Sequence, residues 1–462
     1  MSDAAAPFRQ AAMPAVAAMQ AGIILCLVAG AATGRAWLGD ASAGLALIWI
    51  ATQWTLLIPM ARLFVALAAA GVAAAAVLLP DALPGLWRAV VQGTGFAALM
   101  MVLGFLRQPV KRAALTRDAA GYLLGLPPGR RYGAVLSGAQ AMALMFNVGI
   151  IPMIGDLTEP ADGRDARADP ARRAMVAAAM RGAALVTIWS PLSLGFAIVT
   201  TGLPALEPLR LIAIAFGFTM AMLAATARWP LLPAEARPGR DAGPAGQGRA
   251  AALALVLAAS AGLLAATILL HRATGLGFTL TAVTVLPVFT LGWLALEGPR
   301  GSFGRRLGEG LAALGDLRSE SALFMAANVI GAALSAAIQA SPLWPLLMSG
   351  GFASLPVLLA AFASIPLAAS LYLPNSIFVV MAAQVLGPTA LGEHHPTALG
   401  LALCIGWAVA ICVNPISAMT LITGRLCGVS AARVAHRWNL RFALAVMACG
   451  ALLIAAVYRA GG

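Results

Sequence analysis

Two short polar stretches, 190–193 and 414–417, repeat the same residue types 224 residues apart. In each stretch a small polar residue precedes a proline, and a branched aliphatic residue and a serine follow. Both stretches lie inside apolar runs long enough to cross a membrane, where proline removes a helical hydrogen bond. The freed carbonyls and half-helix ends can bind a cation or the carboxylate of an anion. Two broken membrane helices in corresponding places indicate a transporter's binding site.

The candidate substrate- or ion-binding residues belong to these two breaks, to the threonines that follow them, and to two asparagine-containing segments upstream. They are Asn147, Val148, Gly149, Ser190, Pro191, Ser193, Thr200, Asn375, Ser376, Asn414, Pro415, Ser417 and Thr420. Arg181 is a further candidate, as the partner of a substrate carboxylate.

Each candidate also has a purely structural interpretation. The prolines are compatible with ordinary kinks in which serine satisfies the backbone. The asparagines can join neighbouring helices through hydrogen bonds. Arg181 can extend its side chain to the membrane interface. The repetition of the break, and the location of each asparagine at a turn, favour the functional interpretation.

Composition limits the class of protein. The chain has 462 residues, 61% of them hydrophobic and 10% charged, and its mean hydropathy is +0.90. Such values are typical of an all-α polytopic membrane protein. The net charge of +13 fits cytoplasmic loops better than nucleic-acid binding. The five cysteines show no metal-ligand spacing, and no catalytic set of His, Asp or Ser lies at membrane depth, so an enzyme is not expected.

The hydropathy pattern predicts eleven crossings and two re-entrant hairpins. The first half, 1–227, contains a hairpin at 128–158 and a broken helix at 172–202. A cytoplasmic linker spans 228–249, and the second half, 250–462, contains a hairpin at 343–387 and a broken helix at 397–424. The remaining crossings are predicted at 14–34, 42–60, 63–80, 87–106, 209–227, 250–270, 275–296, 320–340 and 440–458.

Charge predicts the orientation of these segments. A cytoplasmic N-terminus places 24 of the 30 basic residues in the cytoplasm. Asn147 lies 44 residues before Pro191, and Asn375 lies 40 residues before Pro415. Five crossings separate the two hairpins, and because that number is odd, the two hairpin-and-break units face opposite sides. The sequence therefore predicts an inverted repeat.

This arrangement resembles the ion transporter superfamily of secondary carriers. The stretch from Ile151 to Ser193 is similar to bacterial anaerobic C4-dicarboxylate carriers. The tips resemble, more loosely, those of the divalent-anion/sodium symporters, but only the asparagine of the Ser-Asn-Thr tip is kept. The resemblance implies paired hairpins and broken helices that bind an organic anion and a coupling ion.

The sequence therefore predicts a multi-pass secondary transporter of a small organic anion, such as a dicarboxylate, in the bacterial inner membrane. Alternating access would be driven by sodium, a proton or an exchanged anion, and no other cofactor is expected. The expected partners are the anionic substrate, the lipid bilayer and a second copy of the chain. The alternatives are an inorganic-anion or sodium/proton carrier of the same superfamily, or a membrane subunit without transport activity.

Overall fold

The computed structural model describes residues 6–159, 167, 169–237, 248–296 and 302–461, without the side chains of 6–14, 108–112 and 376. Its secondary structure is helical, and the described residues contain no strand. The helices are, in chain order, α1 (Ala6–Thr33), α2 (Ala36–Gln53), α3 (Pro59–Leu78), α4 (Leu83–Arg112), α5 (Ala114–Leu124), α6 (Pro128–Phe146), α7 (Ile150–Leu157), α8 (Pro170–Val186), α9 (Leu194–Gly202), α10 (Pro208–Arg228), α11 (Ala250–Thr274), α12 (Phe278–Leu296), α13 (Phe303–Ala313), α14 (Arg318–Gln339), α15 (Trp344–Leu347), α16 (Leu355–Ser370), α17 (Asn375–Leu386), α18 (Ala390–His394), α19 (Pro396–Val413), α20 (Ala418–Cys427), α21 (Ala431–Arg433) and α22 (Leu440–Arg459).

The predicted fold class, an all-α polytopic membrane protein, is confirmed. Within the described residues, ten helical intervals are long and apolar enough to cross a membrane. Nine of the ten coincide with predicted crossings, and the tenth, Pro128–Leu157, covers the predicted first hairpin. The re-entrant path of that interval and the inverted orientation of the two halves stay predictions.

The predicted crossing at 42–60 is wrong in its position, because α2 already begins at Ala36 and ends at Gln53. A single 3₁₀ turn, Trp54–Leu56, follows it, and Pro59 opens α3. Proline is favoured at the first position of a helix, where its missing N–H has no intrahelical partner. Apolar residues continue through this turn, so hydropathy alone does not reveal the boundary.

The predicted second hairpin, 343–387, consists of α15, α16 and α17. Because proline lacks a backbone N–H, Pro356, Pro366 and Pro374 are each expected to interrupt a helix in this segment. Pro356 instead lies in the first turn of α16, and Pro366 lies inside that helix. The helical path is interrupted between α15 and α16, and again between Ser370 and Asn375, where Tyr372 has a φ of 65°.

The chain forms two compact units. The first unit comprises Met1–Val110 and Ala266–Pro342. In it α3 packs along α14 and α1 packs along α2. Two buried amides bond to distant carbonyls there: Gln20 donates to Leu314 O at 3.0 Å, and Asn328 donates to Ala89 O at 2.8 Å.

The second unit comprises Lys111–Ala265 and Leu343–Gly462, and it contains every candidate site residue. In it α8 packs against α6, and α19 packs against α16 and α22. Gly182 of α8 permits a close approach to α6, because an added Cβ would lie 2.2 Å from Leu136 O. Of the predicted linker 228–249, residues 238–247 lie outside the described part of the chain.

Candidate functional site

The first break joins α8 to α9 through residues 187–193. Pro191 has no N–H to offer Thr187 O, and the Ser193 hydroxyl donates to that carbonyl at 3.2 Å instead. The Ser190 hydroxyl accepts from the N–H of Leu192 at 3.2 Å. Ser193 Oγ also caps α9 by accepting from Phe196 N at 3.3 Å. The Ser193 hydroxyl thus bonds the carbonyl that the proline leaves without a donor, and the Ser190 hydroxyl bonds the N–H of Leu192 in place of a helical carbonyl.

The second break joins α19 to α20 in the same way. Pro415 has no N–H for Ile411 O, and the Ser417 hydroxyl donates to that carbonyl at 2.8 Å. Asn414 Oδ1 accepts from Ile416 N at 3.0 Å. The serine also caps its half-helix, because Ser417 Oγ accepts from the third N–H along, that of Thr420, at 3.2 Å.

All three hydrogen bonds of the first break therefore recur in the second break exactly 224 residues later. The N–H groups of Ser190 and Asn414 also match, since each still donates to the carbonyl four residues earlier. The repeated sequence pattern thus corresponds to a repeated backbone geometry, in which one helix ends, the chain turns at the proline, and a serine starts the next helix.

The structure brings two predicted site residues, Asn375 and Asn414, into direct contact. Asn414 Nδ2 donates to Asn375 Oδ1 at 3.2 Å and to Leu373 O at 3.0 Å. Asn414 is 1% exposed and Asn375 is 9% exposed. The tip between α16 and α17 is therefore hydrogen-bonded to the second break.

Other residues of the second break bond mainly among themselves. The Thr420 hydroxyl lies 2.7 Å from Asn414 O and 3.0 Å from the Ser417 hydroxyl. Thr200, near the first break, donates to Phe196 O in its own helix at 2.9 Å. The side chain of Ser376, a predicted site residue, lies outside the described part of the structure.

The other predicted tip, Asn147–Gly149, forms a 3₁₀ turn between α6 and α7. Asn147 has a φ of 50° and a ψ of −127°, a conformation that lies outside the left-handed helical region and that glycine adopts more readily than other residues. Its side chain is exposed, Val148 is half-buried and Gly149 is buried. No hydrogen bond of the Asn147 side chain is found among the described residues, so this tip differs from the tip at Asn375.

Arg181 is fully buried in α8. Its Nε donates to Asn439 Oδ1 at 3.0 Å and its Nη2 donates to Trp438 O at 2.7 Å. Its Nη1 donates to Tyr132 Oη at 3.0 Å and also to Pro230 O. Four of the five guanidinium donors are therefore bound to neutral protein acceptors, and the group also lies over the Phe442 ring, 4.8 Å from its centroid.

The segment after α10 is anchored to the same unit by a carboxylate. Glu235 accepts hydrogen bonds from Trp438 Nε1 at 2.7 Å and from Arg433 Nε at 3.0 Å, and it pairs with Arg433 Nη2. Burial acts to raise the pKa of Glu235, but the hydrogen bonds from Trp438 and Arg433 and the nearby positive charges leave it below the ordinary value of 4.5. The carboxylate is therefore ionised at neutral pH.

Sequence reasoning missed the residues that support the breaks from other helices. These residues are the π-helix Val434–Trp438 and Asn439, which follows it. Trp438 and Asn439 bond to α8, and Asn439 also bonds to α19. His436 contacts the end of α16, because its Nε2 lies 3.2 Å from Ser370 O. Their only sequence signal is the polar, basic character of the stretch before the last apolar run, which is typical of a cytoplasmic loop.

The fold and these two breaks define a polytopic, all-helical membrane protein. The chain is similar in structure to the YdaH transporter of Alcanivorax borkumensis, whose crystal structure is described as revealing an unusual topology. The TM-score is 0.51 and the sequence identity is 17%, over 86% of this chain and 96% of that chain. The similarity therefore concerns the fold. No protein-family model and no curated protein sequence matches the chain.

Proposed function

We propose that the protein is a secondary active transporter that moves a small organic anion, such as a dicarboxylate, across the inner membrane by alternating access. The observation that carries the proposal is the pair of matched breaks within one compact unit, with the Asn375–Asn414 contact beside the second. The fold shared with a protein described as a transporter supports the same class.

The chemistry of the breaks suits an anion. The half-helices α9 and α20 begin at the breaks, and a helix N-terminus carries a partial positive charge. Amides such as those of Asn375 and Asn414 offer both donors and acceptors, so they can face a carboxylate or help to ligate a cation. The coupling ion in this proposal is sodium, a proton or an exchanged anion, and the two access states follow from the predicted inverted repeat.

Purified protein in liposomes tests the proposal. Uptake of labelled mono-, di- and tricarboxylates is measured with a sodium gradient, a proton gradient or an internal anion, and protein-free liposomes are the control. We expect saturable uptake of at least one organic acid that depends on one of these gradients. Transport of sodium, protons or inorganic anions alone would favour an ion carrier, and absence of all flux from folded protein would favour a subunit without transport activity.

A further inference from the structure

The second break leaves the carbonyl of Cys412 without its helical donor. In a continuous helix this oxygen would accept from the N–H of Ile416, four residues later. That N–H is instead bound to Asn414 Oδ1 at 3.0 Å. A buried carbonyl that lacks a donor is costly, so another group must supply one.

The substitute donor comes from another part of the unit. Asn439, fully buried at the start of α22, directs its Nδ2 at Cys412 O, 3.4 Å away. Its Oδ1 accepts from Arg181 Nε at 3.0 Å. A guanidinium can only donate, so it fixes the amide with the oxygen towards Arg181 and the nitrogen towards Cys412.

Arg181 belongs to α8, the helix that ends at the first break. Its remaining bonds to Tyr132, Pro230 and Trp438 hold the guanidinium in place without any carboxylate among the described residues. The Asn439 amide therefore connects α8, which leads into the first break, with the last turn of α19 before the second break.

We propose that Asn439 is a positioning residue, which replaces the missing helical donor at Cys412 and, through Arg181, fixes the second break relative to α8. Its importance for transport rests on the proposed function, whereas its effect on the geometry of the break does not. Loss of the Nδ2 donor should loosen residues 414–417.

The experiment measures the maleimide labelling rate of a cysteine at Ile416, which is 42% exposed, in purified full-length protein whose five native cysteines are replaced. Asn439→Asp keeps an acceptor for Arg181 but removes the donor to Cys412, and Asn439→Leu removes both. We expect both variants to raise the labelling rate about tenfold, which corresponds to about 1.4 kcal/mol and to the loss of one buried hydrogen bond.

The matched control is Asn328→Leu, which removes a buried amide-to-carbonyl bond of the other compact unit. We expect it to lower the melting temperature without changing the labelling rate at position 416. Unchanged labelling in folded Asn439 variants, or equal acceleration by Asn328→Leu, would overturn the proposal.

If the Asp and Leu variants do not fold, Asn439→Ser is scored in the same way, because its shorter side chain cannot bridge Arg181 and Cys412. Uptake is measured on the same proteins. Absence of uptake in every protein, the wild type included, would count against the proposed function and leave the labelling result intact.

Discussion

The two breaks have the same local hydrogen bonds but differ in what surrounds them. At the second break the carbonyl of Cys412 is bound by Asn439. The corresponding carbonyl of the first break is that of Ile188, and no hydrogen bond to it is found in the part of the chain that the structure describes. The second break is therefore supported from outside, whereas the first leaves a backbone acceptor available.

The residues before the two prolines differ in a related way. Asn414 bonds to Leu373, Asn375 and Ile416, whereas the Ser190 hydroxyl bonds to Leu192 alone among the described residues. An amide has two donors and an acceptor that can reach a second segment, and a hydroxyl is shorter. The longer side chain thus ties the second break to a second segment, whereas the side-chain bonds of the first break stay within its own segment.

The largest expected difference concerns Asn414→Ala and Ser190→Ala. Asn414→Ala leaves the buried Oδ1 of Asn375 and the carbonyl of Leu373 without this donor, which costs about 1 to 3 kcal/mol. We expect uptake to fall about tenfold or more, against about threefold or less for Ser190→Ala, in which a single bond is lost. Initial uptake rates at matched protein amounts measure this. Equal losses would show that the two breaks contribute alike.

Removal of either capping serine, Ser193 or Ser417, should lower the stability of the protein by a similar amount. Ser193→Ala and Ser417→Ala each remove an N-cap and the hydroxyl that satisfies a freed carbonyl. Loss of a cap costs about 1 kcal/mol, and a lost buried bond adds a similar amount. We expect both variants to lower the melting temperature of purified protein by similar amounts. A selective effect of one serine would break the local equivalence of the two breaks.

Substitutions at the two asparagine tips should differ in their effect on stability but should both lower the uptake rate. Asn147→Gly removes an exposed amide without strain, because glycine adopts a positive φ readily. We expect no more than a few tenths of a kcal/mol of lost stability from it, and about 1 kcal/mol from Asn375→Ala, which removes a buried bond. Under the inverted-repeat prediction both variants impair uptake. Normal uptake by Asn147→Gly would confine the site to the second tip.

The smallest expected effect is a dependence on acid pH. Glu235 has a lowered pKa in the folded protein, so its ionised form stabilises the fold above the ordinary value of 4.5, and this stabilisation is lost as the pH falls through the folded value. Trp438, a partner of Glu235, directly precedes Asn439. Acid should therefore expose position 416 sooner than position 193. Labelling of cysteines at these two positions from about pH 5 to about pH 3, with each rate divided by that of a free thiol at the same pH, tests this. Glu235→Gln is the control that removes the pH dependence.

The local order of residues determined where most of the apolar helices lie and where two of the helices break. Within the described residues, the lengths of the apolar runs predicted nine of the ten helical intervals that are long and apolar enough to cross a membrane. Run length is informative because a helix needs about twenty consecutive apolar residues to span the hydrocarbon core. The two breaks were predictable from Pro191 and Pro415, since the missing N–H is a covalent property. The limits of the same rule appear at Pro366, which remains inside α16.

Tertiary structure decided which of these features meet. The sequence placed Asn375 and Asn147 in equivalent positions, but among the described residues only Asn375 is bonded to a break. It offered Arg181 as a partner for a substrate, whereas the fold surrounds the guanidinium with protein acceptors. It gave no sign that Asn439 would complete the second break, because a bond between residues 27 positions apart depends on how α19 and α22 pack. A freed carbonyl can be predicted from its own helix, but its new donor is chosen by whichever side chain the packing brings within reach.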